Sequence, residues 1–322
     1  MKIKARVLVT KRIPHQPMEY LFQRVEEVNV NEKDGSLLPQ ELKDRLRNTD
    51  GVLCMLNDRI DREVIDASGR LRVISNYAVG YDNIDVDYAS AKGIVVTNTP
   101  GVLTDATAEL TVALVLAAAR RIVEAHGFTL QGRFSGWAPL LFLGYQLAGK
   151  VCGIIGAGRI GREVARRLKA FKTRIVYFSP TRKPEFEKEV EADYVSLQNL
   201  LKVSDFISVN PRLTPDTYHL LGKKEFELMK TTAVLVNTSR GAVIDEKALA
   251  EALEQGKIAC AGLDVFENEP GIEEKLLQLP NVVVLPHIGS ATYESRNKMG
   301  FMAAENLVNA LEGKKPPYMV NQ

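Results

Sequence analysis

Residues 151–171 read VCGIIGAGRIGREVARRLKAF: an apolar run, three glycines at 156, 158 and 161, and a stretch with helical spacing. The G-x-G-x-x-G spacing alone is a weak signal, because glycines are common and many such matches are plain turns. Here it follows a strand pattern, VCGII, and opens a helical run, which is the context a dinucleotide-binding turn requires. In that geometry Gly156 permits the tight turn, Gly158 lets backbone approach a pyrophosphate, and Gly161 lets helix and strand pack closely. Ala157, Arg159 and Ile160 complete the turn, where N–H groups and the positive end of the helix dipole receive the phosphates. About 20 residues further on, NAD-binding chains carry an acid for the ribose 2′-OH. This chain has YFSPTRKPE there, with Ser179 in the acid's place and Thr181, Arg182 and Lys183 after it. A carboxylate repels a 2′-phosphate, whereas hydroxyls and a guanidinium bind one. The expectation is NADP(H) preferred and NAD(H) second; the competing reading of TRK is a solvated loop.

Outward from the glycines, short apolar runs alternate with helical patterns, the signature of parallel sheets covered by helices, hence α/β. With 322 residues, against roughly 100–200 for a typical domain, two domains are expected. ARVLVT, GVLCML, LRVISNYA and GIVVTN read as strands of the first, with PQELKDRLRN and DVDYASAKG helical between them. NTPG at 98–101 marks a turn and hinge. A single helix is expected from Thr104 to about His126, apolar on several sides and so buried between domains or against a second subunit, which points to a homodimer. After the glycine turn, TRIVYFS, DFISVN, TAVLVNTSRG, CAGLDVF and NVVVLPHIG continue the series, and an amphipathic helix ending near Gly313 closes the chain.

Composition narrows the partners. Apolar residues make up 45%, charged residues 25%, and the net charge is +2, so no field favours nucleic acid or an anionic membrane, and a small-molecule partner is expected. Cys54, Cys152 and Cys260 lie in apolar runs without disulfide or metal spacing and read as reduced core residues. No apolar stretch approaches the 18 or so residues of a membrane span, and the cytoplasm is the economical location.

Three polar residues end apolar strands: Arg240 after AVLVNTS, Glu269 after CAGLDVFEN and His287 after NVVVLP. Ligands of open α/β sheets bind outside the carboxyl ends of strands, so all three are candidates for one crevice. An arginine, an acid and a histidine are the set that reduction of a 2-oxo acid needs. His15, His126 and His219 have no carboxylate or cysteine at ligand spacing, and no metal site is expected.

GAGRIG, NTSRGAVIDEKAL, AGLDVFENEP and LPHIGSAT, in this order, resemble the D-isomer-specific 2-hydroxyacid dehydrogenase family over essentially the whole chain. NYAVGYDNID, VTNTPGVLTDATAEL, WAPLLFL and YFSPTRK are most similar to its glyoxylate/hydroxypyruvate reductases. The resemblance implies reduction of small 2-oxo acids, with His287 as general acid, Glu269 as its partner favouring the imidazolium, and Arg240 holding the substrate carboxylate. It implies that Val79 and Gly80 donate N–H groups to that carboxylate, that Leu56 lines the pocket, and that Trp137 reaches a neighbouring subunit's site or packs in core or dimer. Asp264 is implied to contact the nicotinamide carboxamide. Thr104, Thr217, Thr238, Ser239, Arg240, His287 and Gly289 are implied to lie near the dinucleotide.

The topology implied is two Rossmann-like or flavodoxin-like domains with parallel sheets. Residues 1–100 completed by 291–322 form a discontinuous substrate domain, and 101–290 form a dinucleotide domain, with a cleft that closes. One departure is Pro211 and Arg212 before LTPDTYH, where an apolar residue and Pro are usual; Arg212 is a second cation for a 2′-phosphate or a solvated substitution. D-lactate, 2-ketogluconate and phosphoglycerate dehydrogenases remain alternatives within the family. A dinucleotide-sensing corepressor-like scaffold is the alternative outside enzymes.

Overall fold

The computed structural model describes residues 2–33 and 35–321; Met1, Asp34 and Gln322, which the expected domain ranges include, lie outside the described residues. The chain divides into two compact units, Met1–Leu103 with Ser290–Gln322, and Thr104–Gly289.

In the first unit five strands, β1 (Ile3–Val9), β2 (Val25–Val30), β3 (Gly51–Cys54), β4 (Val73–Asn76) and β5 (Val95–Thr97), form a parallel sheet in the order β2-β1-β3-β4-β5. β3 and β4 are buried at every residue; β3 reads as an apolar run without alternation, and β4 ends on Ser75 and Asn76, whose buried side chains are hydrogen-bonded. β2, VEEVNV, was not foreseen: it lies at the sheet edge, where Glu26 and Glu27 stay in water. The helix Tyr293–Leu311 packs back on this sheet. Ser75 Oγ donates to the Ala303 carbonyl at 2.8 Å, and Tyr77 OH to that of Arg296 at 2.6 Å. Thr292 caps its start by accepting from Ser295 N, and Gly313 ends it with φ 76°.

The second unit holds β6 (Val151–Ile155), β7 (Arg174–Phe178), β8 (Asp193–Tyr194), β9 (Phe206–Val209), β10 (Val234–Asn237), β11 (Cys260–Leu263) and β12 (Val282–Val284). They form a parallel sheet in the order β12-β11-β10-β9-β6-β7-β8, so the strand order reverses between β6 and β9. Helix Thr104–Ala119 lies on this sheet, with Leu114, Val115 and Ala118 in one core with Ile154 and Val236. Burying each of the larger side chains contributes roughly 1.5–3 kcal/mol.

The long helix expected from Thr104 to His126 is two helices, Thr104–Ala119 and Ile122–Leu130. The Ala119 carbonyl accepts from Tyr145 N at 2.8 Å rather than from the next helical turn, and Arg121 takes the left-handed conformation, φ 53°. The three cysteines are free and buried. Among the described residues no helix is long and apolar enough to cross a membrane.

Candidate active site

The glycine turn stands where the strand order reverses. Gly156, φ 90°, is pressed against the chain leaving β9: a Cβ there would lie 2.7 Å from Pro211 N and 2.9 Å from Asn210 C. A Cβ on Gly161 would meet the Gly156 carbonyl oxygen at 2.2 Å, so this glycine lets the helix Arg159–Ala170 sit tightly under its own entry turn. Gly158 differs, because its Cβ would enter space with no protein atom within 4 Å. That opening beside a helix N-terminus fits a pyrophosphate, and the residues present suit a dinucleotide.

Ser179 is buried, and its Oγ accepts from Ala157 N at 2.8 Å, tying the end of β7 to the glycine turn. Thr181, Arg182 and Lys183 are exposed beyond it. Two of the five guanidinium N–H donors of Arg182, Nε and one on Nη2, bind the two oxygens of Glu187 at 2.8 Å each. Tyr177 OH donates to the same carboxylate at 2.6 Å. The Arg182 and Tyr177 hydrogen bonds hold the Glu187 carboxyl well below its ordinary range, at about 2. Arg212 is exposed, and its carbonyl accepts from Thr217 Oγ1 at 2.6 Å, so the Thr217 hydroxyl closes its own loop.

The tetrad after β10 explains why an apolar strand ends on NTSRG. Asn237 folds the turn: its Oδ1 accepts from Ser239 N and Oγ, and its Nδ2 donates to the Arg240 carbonyl at 2.9 Å. Thr111 Oγ1 donates to the Thr107 carbonyl at 2.7 Å, so in the 2.7 Å pair with Thr238 the Thr238 hydroxyl is the donor. Gly241 is required by crowding, since a Cβ would fall 1.8 Å from Phe266 C and 2.3 Å from Glu267 N. The turn carrying Arg240 is thus wedged against the loop carrying Glu269.

Glu269 Oε1 accepts from Phe266 N at 3.0 Å, and Oε2 meets His287 Nδ1 at 2.8 Å. Burial pushes the Glu269 carboxyl up, but the His287 bond and charge, the Phe266 N–H and the Arg240 guanidinium together bring it below the usual carboxylate value. His287 has φ 55°, a left-handed backbone costing a side-chain-bearing residue about 1–2 kcal/mol. Asp264 holds that turn: 0% exposed, it accepts from Ile288 N and Gly289 N at 2.7 Å each. Burial raises the Asp264 carboxyl despite these bonds. Its direct partners are therefore backbone groups that aim the histidine, a role the sequence did not suggest.

In the first unit the carbonyls of Val79 and Gly80 are fixed by the side-chain amides of Asn98 and Asn76 at 2.8 Å each, and that of Ala78 by Thr99 N at 2.9 Å, which sets the peptide planes that carry the N–H groups of Val79 and Gly80. Leu56 is half-buried. Trp137 is 85% exposed, so it is no core residue of its own chain, and Phe134, Leu140 and Leu143 are exposed around it in sequence. Thr104 begins its helix, half-buried. Two histidines read as having no carboxylate at ligand spacing have one nearby: His15 Nδ1 lies 3.6 Å from Glu19 Oε2, four residues on in the same helix, and His219 Nε2 meets Glu267 Oε1 at 2.8 Å, a partner 48 residues away that no local spacing reveals. Among the described residues no group of three or more His, Cys, Asp and Glu could hold a metal ion.

Residues 112–289 match the family described as D-isomer specific 2-hydroxyacid dehydrogenase, NAD binding domain. A Thermococcus litoralis protein named glyoxylate reductase is 49% identical over 325 residues, covering 99% of this chain and 98% of its own. The chain belongs to the D-isomer specific 2-hydroxyacid dehydrogenases. As a member of that family it is an NAD(P)-dependent oxidoreductase acting on a CH–OH donor. A solved Thermus thermophilus structure aligns with a TM-score of 0.91 at 44% identity, covering 98% of this dehydrogenase and 99% of that chain. An NADPH-dependent glyoxylate/hydroxypyruvate reductase from Sinorhizobium meliloti, solved with NADP and malonate, aligns at 0.86 with 34% identity, covering 98% and 97%.

Proposed function

We propose that this dehydrogenase reduces small 2-oxo acids, glyoxylate and hydroxypyruvate foremost, to glycolate and D-glycerate, with NADPH preferred over NADH. The observation that carries the reading is the His287–Glu269 hydrogen bond, with the Arg240 guanidinium close enough to lower the Glu269 carboxyl, all in the unit that holds the glycine turn. A nicotinamide bound in this unit supplies the hydride that reaches the carbonyl carbon. His287 gives the proton to the carbonyl oxygen from Nε2, because Nδ1 is engaged by Glu269; Glu269 fixes the ring and favours the imidazolium. Arg240 pairs with the substrate carboxylate and polarises the neighbouring carbonyl. Hydride and proton together account for the two hydrogens added across the carbonyl, and no further reactant is needed.

Val79 and Gly80 are kept as substrate-binding residues on the strength of the fixed peptide planes after β4, and Leu56, half-buried after β3, is kept as a pocket residue. Ser179, Thr181 and Arg182 are kept for the 2′-phosphate, with Glu187 steadying the guanidinium. A homodimer is part of the reading: Leu130, Phe134, Trp137, Leu140 and Leu143 are exposed within one short segment, and a second copy is the partner that would cover them. Its location is read as cytoplasmic.

The test is initial-rate oxidation of NADPH and NADH with glyoxylate, hydroxypyruvate, pyruvate, 2-oxobutyrate and 2-ketogluconate, repeated for Ser179→Asp combined with Arg182→Ala. Glyoxylate and hydroxypyruvate with NADPH are expected to lead, and the double variant to move the NADPH/NADH ratio about 10–100-fold toward NADH, the loss of charge-assisted bonds worth ~1.5–3 kcal/mol. Larger acids leading would remove the substrate assignment. An unaltered ratio would remove the 2′-phosphate site, and dinucleotide binding without turnover would favour a sensing scaffold.

A further inference from the structure

Glu246 follows the N-cap Asp245 of the helix Glu246–Glu254, yet its carboxylate does not serve that helix. It is only 7% exposed and accepts from the backbone N–H of Glu267, a short bond, and from Glu273 N at 3.3 Å. These two N–H groups stand two residues before and four residues after Glu269. A buried carboxylate is costly unless donors satisfy it, and here both donors belong to the loop that presents Glu269 to His287. Gly241 presses on the same loop at Phe266 and Glu267, and Asn268 O accepts from Gly271 N at 2.8 Å across its tip.

We propose that Glu246 is a positioning residue for proton transfer: its carboxylate clasps the 267–273 loop at both ends and so sets where the Glu269 carboxylate meets His287. The proposal rests on the reading of His287 as general acid. The groups facing Glu246 are Glu267 and Glu273 from the loop, with Asp245 and Lys247 beside it in sequence. His219 and Tyr218 hold the Glu267 side chain at 2.8 and 3.3 Å, keeping that second carboxylate turned to its own donors. Burial raises the Glu246 carboxyl, the two N–H groups pull it down, and the charges of Glu267 and Glu273 raise it again.

Glutamate suits the task because each oxygen takes one N–H. Glutamine offers one oxygen and sets an NH2 against the other donor, so the loop must shift. A displacement near 1 Å costs on the order of 100-fold in rate. Glu246→Gln is therefore expected to lower kcat for glyoxylate about 10–100-fold. NADPH affinity, read by fluorescence titration, and the KM for glyoxylate stay within about twofold, since the groups that bind both remain. The alkaline limb of the reductive pH–rate profile moves to lower pH, because a misplaced Glu269 supports the imidazolium less. If Glu246→Gln does not fold, Glu246→Asp, which keeps the charge and shortens the reach by one methylene, carries the same expectation. Unchanged kcat and pH profile in a folded variant overturn the proposal, as does a parallel loss of NADPH affinity and thermal stability, which marks a structural role alone. His287→Asn separates the two levels: if it keeps wild-type turnover, the reading of the general acid fails; if it is inactive while Glu246 variants are normal, only the positioning role falls.

Discussion

Each unit has a parallel strand at the point of strand reversal that feeds a helix: β1 into His15–Arg24 in the first, β6 into Arg159–Ala170 in the second. Their connecting turns are chemically opposite. After β1 the chain reads TKRIP, without glycine, and Thr10 Oγ1 donates to the buried Asp58 carboxylate, which also accepts from Met55 N at 2.7 Å. Asn83 then ties Met55 O and Asp58 O at 3.1 and 3.0 Å. That end of the sheet is filled by its own side chains. After β6 the turn is GAGRIG, and Gly158 faces space with no protein atom within 4 Å of where a Cβ would stand. The same topology thus yields a closed polar network in one unit and an anion-ready turn in the other; the turn, not the sheet, carries the chemistry.

The largest effect expected lies in the second unit. Arg240→Ala removes the only side chain assigned to the substrate carboxylate there, and kcat/KM for glyoxylate is expected to fall at least about 10²–10³-fold, as when a preorganised donor to developing charge is lost. Dinucleotide affinity should fall far less than kcat/KM, because Arg240 is only one of the residues implied to lie near the dinucleotide and the turn after β6 is untouched; steady-state kinetics beside NADPH titration reads both. Unchanged kcat/KM would show that the strand end is not where the acid binds.

Next come the glycines, which sharpen the contrast between a bare turn and a packed one. Gly158→Ala adds a methyl to open space at an ordinary φ of −79°, so stability should be unchanged while dinucleotide affinity falls by about tenfold or more, the order of 1–3 kcal/mol for overpacking. Gly161→Ala drives its methyl to 2.2 Å from the Gly156 carbonyl and should lose stability and affinity together. Denaturant unfolding with NADPH titration distinguishes them. Equal behaviour of the two variants would mean that the Gly158 space is not a phosphate seat.

Why some of this was legible and some not follows from the range of the forces. The doubly wound fold was readable because strands buried on both faces carry apolar runs such as VLC and VLV, and Gly and Pro punctuate their ends. The edge strands β2 and β8 escaped because water on one side lets glutamate, aspartate and tyrosine stand in them. The break at Arg121 escaped because its cause, Tyr145 N on Ala119 O, lies 26 residues away in sequence. In the site, residues ending apolar strands could be picked out one by one. Their supports could not: Glu246 under Glu267, His219 beside Glu267 and Asp264 under Ile288 and Gly289 are pairings of distant segments, and their residue types are ordinary for exposed helix starts and loops. Ser179 was readable as a missing acid, but its bond to Ala157 N joins residues 22 apart in sequence.

The smallest effect tests the quiet half of the comparison. Thr10→Val takes a donor from Asp58, whose carboxyl burial already pushes up while the Thr10 and Met55 bonds pull it down. Valine fills the same volume without the hydroxyl, so the cost is one hydrogen bond to a buried charge, ~1.5–3 kcal/mol of stability, read by urea unfolding. The sign with pH also follows. Losing a donor leaves the neutral acid favoured further, so the variant's deficit should be greatest where Asp58 must be charged and should shrink as pH falls through its raised folded value. NADPH affinity should not move at all, since nothing in the turn after β1 offers backbone to a phosphate. A change in NADPH affinity comparable to that of Gly158→Ala would break the comparison, because it would make the filled turn a participant in dinucleotide binding rather than its structural counterpart.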